Sequence, residues 1–203
     1  MAIEIDPLDT IEDLREDSAV HKRNARLNAM VAVMVAMLAT FLGICNVKDD
    51  NIVQAMQQAQ ADRLDHWNFY QARNIREDVA NATVAQLQLA AAGAQAAQQP
   101  GYRDAIAKYQ AVAADQHTKK EDLRVQADTD QKTYDALNYR DDQFDLSQAM
   151  LALAISLLAV TALTHKRWLY WIALVPTVGG VVMGLAGLLG WHIHPSTIVG
   201  WLT

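Results

Sequence analysis

Residues 27–45 read LNAMVAVMVAMLATFLGIC and contain no Asp, Glu, Lys or Arg. A hydrocarbon core about 30 Å thick needs roughly 20 helical residues rising 1.5 Å each, so this run is long enough to cross a bilayer. Residues 146–163 and 168–191 are uncharged in the same way. The 17 Lys and Arg and the 23 Asp and Glu of the 203-residue chain all fall outside these three runs. Burying them as core helices of a soluble domain would require a far larger polar shell than the remaining residues supply. The expected fold class is therefore an all-α membrane protein with three transmembrane helices and a long antiparallel, coiled-coil-like helical hairpin between spans one and two.

This reading divides the chain into an acidic N-terminal segment (1–26), span one (27–46), an extramembrane hairpin (47–145), span two (146–163), span three (168–191) and a C-terminal tail (192–203). Residues 49–92 and 102–145 lack both glycine and proline, whereas 93–101, GAQAAQQPG, collects the breakers and is the predicted turn. The second arm carries a seam at heptad spacing: Tyr102, Ile106, Tyr109, Ala113, Gln116, Lys120, Leu123, Ala127, Asp130, Tyr134, Leu137, Asp141 and Phe144. On the first arm Leu64, Trp67, Gln71, Ile75, Val79, Ala82 and Leu89 form a less regular stripe. Trp67, Tyr70, Ile75, Leu123, Tyr134 and Leu137 are the residues expected to lock the two arms together, since large apolar and aromatic side chains fill helix interfaces.

Orientation follows from basic residues near the span ends. Arg15, Lys22, Arg23 and Arg26 precede span one, and Lys166 and Arg167 join spans two and three. Both clusters belong on the cytoplasmic side, which puts the N-terminus there and the hairpin and C-terminus in the periplasm. The first run begins too far from the N-terminus for a cleaved leader and is expected to be an uncleaved signal anchor. Trp168, Tyr170, Trp171 and Trp191 mark the borders of span three, and Pro176 within it favours a kink.

Small residues recur on one face of span one, at Ala25, Ala29, Ala32, Ala36, Ala39 and Gly43. Span three offers Gly180, Gly184 and Gly187, and span two offers Ala149, Ala152, Ser156 and Ala159. In lipid, where no hydrophobic drive pushes helices together, such residues let backbones approach, so these are the predicted helix-packing faces.

Several function classes are disfavoured. A net charge of −6, with acidic residues among the basic ones, does not suit nucleic-acid binding. Spans without ionisable groups do not suit proton relays or voltage sensing. No nucleophile-elbow, phosphate-loop, zinc-protease or dinucleotide fingerprint occurs, so no enzyme, cofactor or metal is expected. His192 and His194 lack a third ligand nearby, Cys45 is the single cysteine and reads as an apolar filler, and His66 and His117 read as solvated helix positions. At the N-terminus, Asp6-Pro7 is a good helix start, with Leu8, Ile11 and Leu14 sharing a face that suits an interfacial helix or a protein partner.

The stretch DHWNFYQARNI (65–75) resembles a motif of a family of small bacterial three-span inner-membrane proteins catalogued only as a domain of unknown function. FDLSQA (144–149) and TALTHKRWLY (161–170) resemble the same family's second-to-third-span region. The resemblance covers roughly residues 27–191, departs at the acidic start and the alanine-rich turn, and implies a bacterial inner membrane without any catalytic residue. The expected role is that of a non-enzymatic scaffold or interaction protein. It contacts membrane lipid, assembles as a homo-oligomer and has a possible protein partner at the hairpin. The alternative is a pore or a transport accessory.

Overall fold

The computed structural model describes residues 7–191 and 193, with side-chain surroundings from Ser18 onward except Ala19. Asp6, His192 and His194, together with the side chains of Leu8, Ile11 and Leu14, lie outside the described residues. Among the described residues the secondary structure is entirely helical: α1 (Pro7–Ala92), α2 (Gln99–Thr164) and α3 (Arg167–Leu189). Each contains a stretch long and apolar enough to cross a membrane.

Two of these helices are longer than any expected span or hairpin arm, at 86 and 66 residues. The reason is local. Between Gly43 and Gly93, and again between Gly101 and the end of α2, the sequence offers no glycine or proline to break a helix where an apolar run gives way to a polar one. The turn is also shorter than expected, because α2 already begins at Gln99. Pro100 tolerates this, since a first-turn residue has no intrahelical acceptor for an N–H. α2 and α3 are joined by His165, held at φ 54°, and Lys166, while α3 ends at Gly190 with φ 70°. A left-handed C-terminal residue of that kind favours glycine, and its backbone N–H reaches the Ala186 carbonyl.

The chain folds as two compact units. The first comprises residues 1–52 and 139–203, the second Val53–Asn138. The core of the first unit is formed by Leu27, Val31 and Leu38 of α1, Leu151, Ala154 and Leu158 of α2, and Ala173 of α3, flanked by Phe41, Ile155, Tyr170 and Val181. In the second unit α1 and α2 run antiparallel, as the cross-helix pairs His66–Asp130 and Glu77–Lys120 require.

Candidate functional site

Without a catalytic constellation, the surfaces through which helices pack are the features that can carry function. In the first unit the three small-residue faces have different surroundings. A Cβ added at Gly180 would lie 2.8 Å from Leu151 Cγ and 3.1 Å from the Ser147 carbonyl oxygen. At Gly184 it would meet the Phe41 ring at 2.7 Å and Ser147 Oγ at 2.8 Å, and at Gly187 the Phe144 ring at 2.8 Å. Span three thus uses its glycines to seat bulky side chains of α1 and α2 against its own backbone. The contact is fixed further by Ser147, fully buried, whose hydroxyl donates to the Gly180 carbonyl at 2.7 Å.

Span one behaves in the opposite way. Its packed face is Leu27, Val31, Leu38 and Cys45, whereas Ala25, Ala29, Ala32, Ala36, Ala39 and Gly43 are all exposed. A Cβ at Gly43 would meet nothing within 4 Å. Ala149, Ala152, Ser156 and Ala159 of span two are exposed as well.

Polar residues cluster where α1 and α2 leave their apolar runs. Gln148 donates to Asp49 Oδ2 at 2.8 Å. Burial, then a hydrogen bond with Asp49 that requires one of the two carboxyls to be protonated, pushes Asp141 up to about 6. Asp145 is raised as well, first by burial and then by the charges of Asp49 and Asp142. Arg140 and Gln143 instead serve α3. Arg140 donates to the Gly187 carbonyl, with Nη2 at 2.8 Å, and fully buried Gln143 donates to the carbonyls of Trp191 and Ile193 at 2.8 Å each.

In the second unit the middle of the α1 seam is polar. Arg73 donates to Gln116 at 2.9 Å, and Lys120 ion-pairs with Glu77 at 2.7 Å and donates to Asn74 at 3.0 Å. His117 reaches the same glutamate at 3.1 Å, and His66 meets Asp130 at 2.7 Å. His66 and His117 are thus engaged across the two arms and are not simply solvated positions. The hydrogen bond from Lys120 holds Glu77 below the usual carboxylate range against a smaller desolvation cost, and the same bond raises Lys120.

The aromatic motif sits beside this network. Trp67 and Tyr70 stack with ring centroids 5.0 Å apart, and the Lys120 ammonium lies 5.9 Å from the Tyr70 ring. Leu123, Tyr134 and Leu137 on α2 are half-buried, as is Tyr70. Two residues expected in the seam lie elsewhere. Ile75 is 62% exposed and Trp67 45% exposed, and Leu64, Val79 and Leu89 are exposed too. The side chains that take their place are Met56, Ala59, His66, Arg73, Glu77, Ala80 and Val84, buried or half-buried at heptad spacing. The first arm therefore packs through small and apolar residues at Met56, Ala59, Ala80 and Val84, with His66, Arg73 and Glu77 turned towards the second arm between them, and leaves Leu64, Ile75, Val79 and Leu89 exposed. That arrangement could have been found by asking which first-arm residues complement the charges Lys120 and Asp130 already placed in the second-arm seam.

Among the described residues no group of three or more His, Cys, Asp or Glu is arranged to hold a metal ion. The family model described as "Domain of unknown function (DUF4337)" matches residues 27–190. No curated protein and no solved structure matches the chain.

Proposed function

The chain belongs to the DUF4337 family, a domain of unknown function, and for this member we propose a non-enzymatic, homo-oligomeric scaffold of the bacterial inner membrane. In this reading its N-terminus is cytoplasmic, and a coiled-coil-like hairpin and the C-terminus face the periplasm. The observation that carries the proposal is the exposure of Ala29, Ala32, Ala36, Ala39 and Gly43 on a span that packs within the chain through Leu27, Val31, Leu38 and Cys45. Small residues on a lipid-facing surface gain little from acyl chains, while against a second helix they permit backbone contact. The outward apolar stripe Leu64, Ile75, Val79 and Leu89 supports the same reading, because a solvated helix gains by covering such residues.

The test is the mass of the full-length protein in nanodiscs across a dilution series. A monomer at every concentration removes the scaffold reading. Orientation is tested by Ala97→Cys in the turn, in a Cys45→Ser background. An impermeant maleimide added to spheroplasts labels it if the hairpin is periplasmic and fails to do so if it is cytoplasmic.

A further inference from the structure

At the end of the first unit where α3 begins, α1 and α3 enclose a cleft of about 320 Å³ lined by Arg26, Leu27, Met30, Arg167, Tyr170 and Trp171. A second, more open cleft beside it is lined by Lys22, Arg23, Ala25, Arg26, Ala29 and Arg167. Arg26 and Arg167 line both. Lys22, Arg23, Arg26 and Arg167 are exposed, and none forms an ion pair or side-chain hydrogen bond among the described residues. Four cations brought together by two helices, none of them ion-paired among the described residues, repel one another, a cost that an anion between them would relieve.

Two further features specify the anion. The α3 N-terminus points its positive dipole end into the same region, since Arg167 is its first residue and Lys166 caps it without a side-chain hydrogen bond. The remaining wall is apolar and aromatic: Leu27 is buried, Tyr170 half-buried, and Met30 and Trp171 are 54% and 69% exposed. A small inorganic anion has no use for that wall, whereas an acyl chain or glycerol backbone does. Trp and Tyr rings also sit at headgroup depth, the level at which a phosphodiester would lie.

We propose that the α1–α3 cleft binds an anionic phospholipid, its phosphate held by Arg26 and Arg167 with Lys22 and Arg23 adding long-range attraction, and its upper acyl chain against Leu27, Met30 and Trp171. Arginine suits the phosphate because its planar fork donates two parallel hydrogen bonds. The proposal rests on the membrane reading of the three apolar stretches and is independent of oligomeric state.

The experiment uses the full chain in nanodiscs of phosphatidylcholine with a minor fraction of phosphatidylglycerol, released into mild detergent and weighed by native mass spectrometry. Wild type is expected to retain phosphatidylglycerol over phosphatidylcholine. Arg26→Gln with Arg167→Gln should weaken that retention about thirty-fold, and Arg26→Lys with Arg167→Lys should keep most of it. Lys48→Gln, at the other end of span one, should change nothing.

A photoreactive phosphatidylglycerol on wild type covers the case in which the double variant misfolds, and its label should fall on residues 22–30 and 167–171. Equal retention by wild type and the double glutamine variant, or label spread evenly over the spans, overturns the proposal. So does displacement of the lipid by millimolar inorganic phosphate, which would make the site one for a free anion. Carbonate extraction separates the two levels: protein released from membranes defeats the membrane reading itself, while protein that stays embedded without selective lipid defeats this site alone.

Discussion

Spans one and three carry what looks in sequence like the same device, small residues repeated at helical spacing, yet the structure uses them in opposite ways. Gly180, Gly184 and Gly187 are pressed against Leu151, Phe41 and Phe144, while Ala25, Ala29, Ala32, Ala36, Ala39 and Gly43 are exposed and a Cβ at Gly43 would meet nothing within 4 Å. A small residue is therefore a provision for close approach whose partner must be sought separately. Where the partner is inside the chain the motif builds the fold, and where it is outside the motif is free to build an assembly.

The contrast can be broken most directly at Gly184. Gly184→Leu must push aside the Phe41 ring and Ser147, both held by further packing, and should destabilise the unit by about 3 kcal/mol or more. Thermal unfolding in detergent, followed by tryptophan fluorescence, would show it. Unchanged melting would mean the enclosed packing is not as described.

The matching disruption on span one is Ala36→Leu with Gly43→Leu. It should leave that melting curve in place while weakening self-association about ten-fold, near 1.4 kcal/mol, in the nanodisc dilution series. If melting fell as far as for Gly184→Leu, the distinction between the two faces would be lost.

Acidity should sharpen the comparison further, because charge is costly only on the enclosed side. Asp141 has its folded value raised to about 6, above an ordinary aspartate near 3.9. The fold therefore disfavours the carboxylate, and stability should rise as pH falls from 7 through 6 towards 4. Asp141→Asn should gain about 1 kcal/mol at pH 7, after allowance for solvent screening, and nothing at pH 4. A gain that is the same at both pH values would reject this origin. The smallest effect belongs to Gly43→Ala. It removes a helix-interior glycine without a clash and should stabilise α1 by about 0.5 kcal/mol, where Gly187→Ala should destabilise.

Much of the architecture was legible in the residues themselves. The three apolar stretches and the helical character follow from the absence of charge, glycine and proline over long runs, which needs no knowledge of neighbours. Which face of each helix is covered was less accessible. Periodicity reveals that Ala29, Ala32, Ala36 and Ala39 share a face and that Ile75, Val79 and Leu89 share another, but a stripe carries no label for what lies against it. Between His66 and Glu77 of the first arm the usual rule, apolar inward, misdirects. The second-arm seam already holds Gln116, Lys120 and Asp130, and these are satisfied by Arg73, Glu77 and His66 rather than by Ile75. Burying one partner of such a pair alone would be costlier than leaving an isoleucine in water. The cleft between α1 and α3 is half visible in the sequence: its basic residues carry a topology signal, but their convergence with Tyr170 and Trp171 depends on helix packing that no single stretch encodes.

The carbonyls that finish α3 are satisfied from α2, through Arg140 to Gly187 and Gln143 to Trp191 and Ile193. During synthesis α2 leaves the ribosome before α3, and its donors must wait for acceptors some fifty residues later in the chain. Until then a guanidinium and an amide beside an apolar stretch have only water to bind. The second helix is thus not settled when it is made. Its final setting is deferred to the arrival of the third.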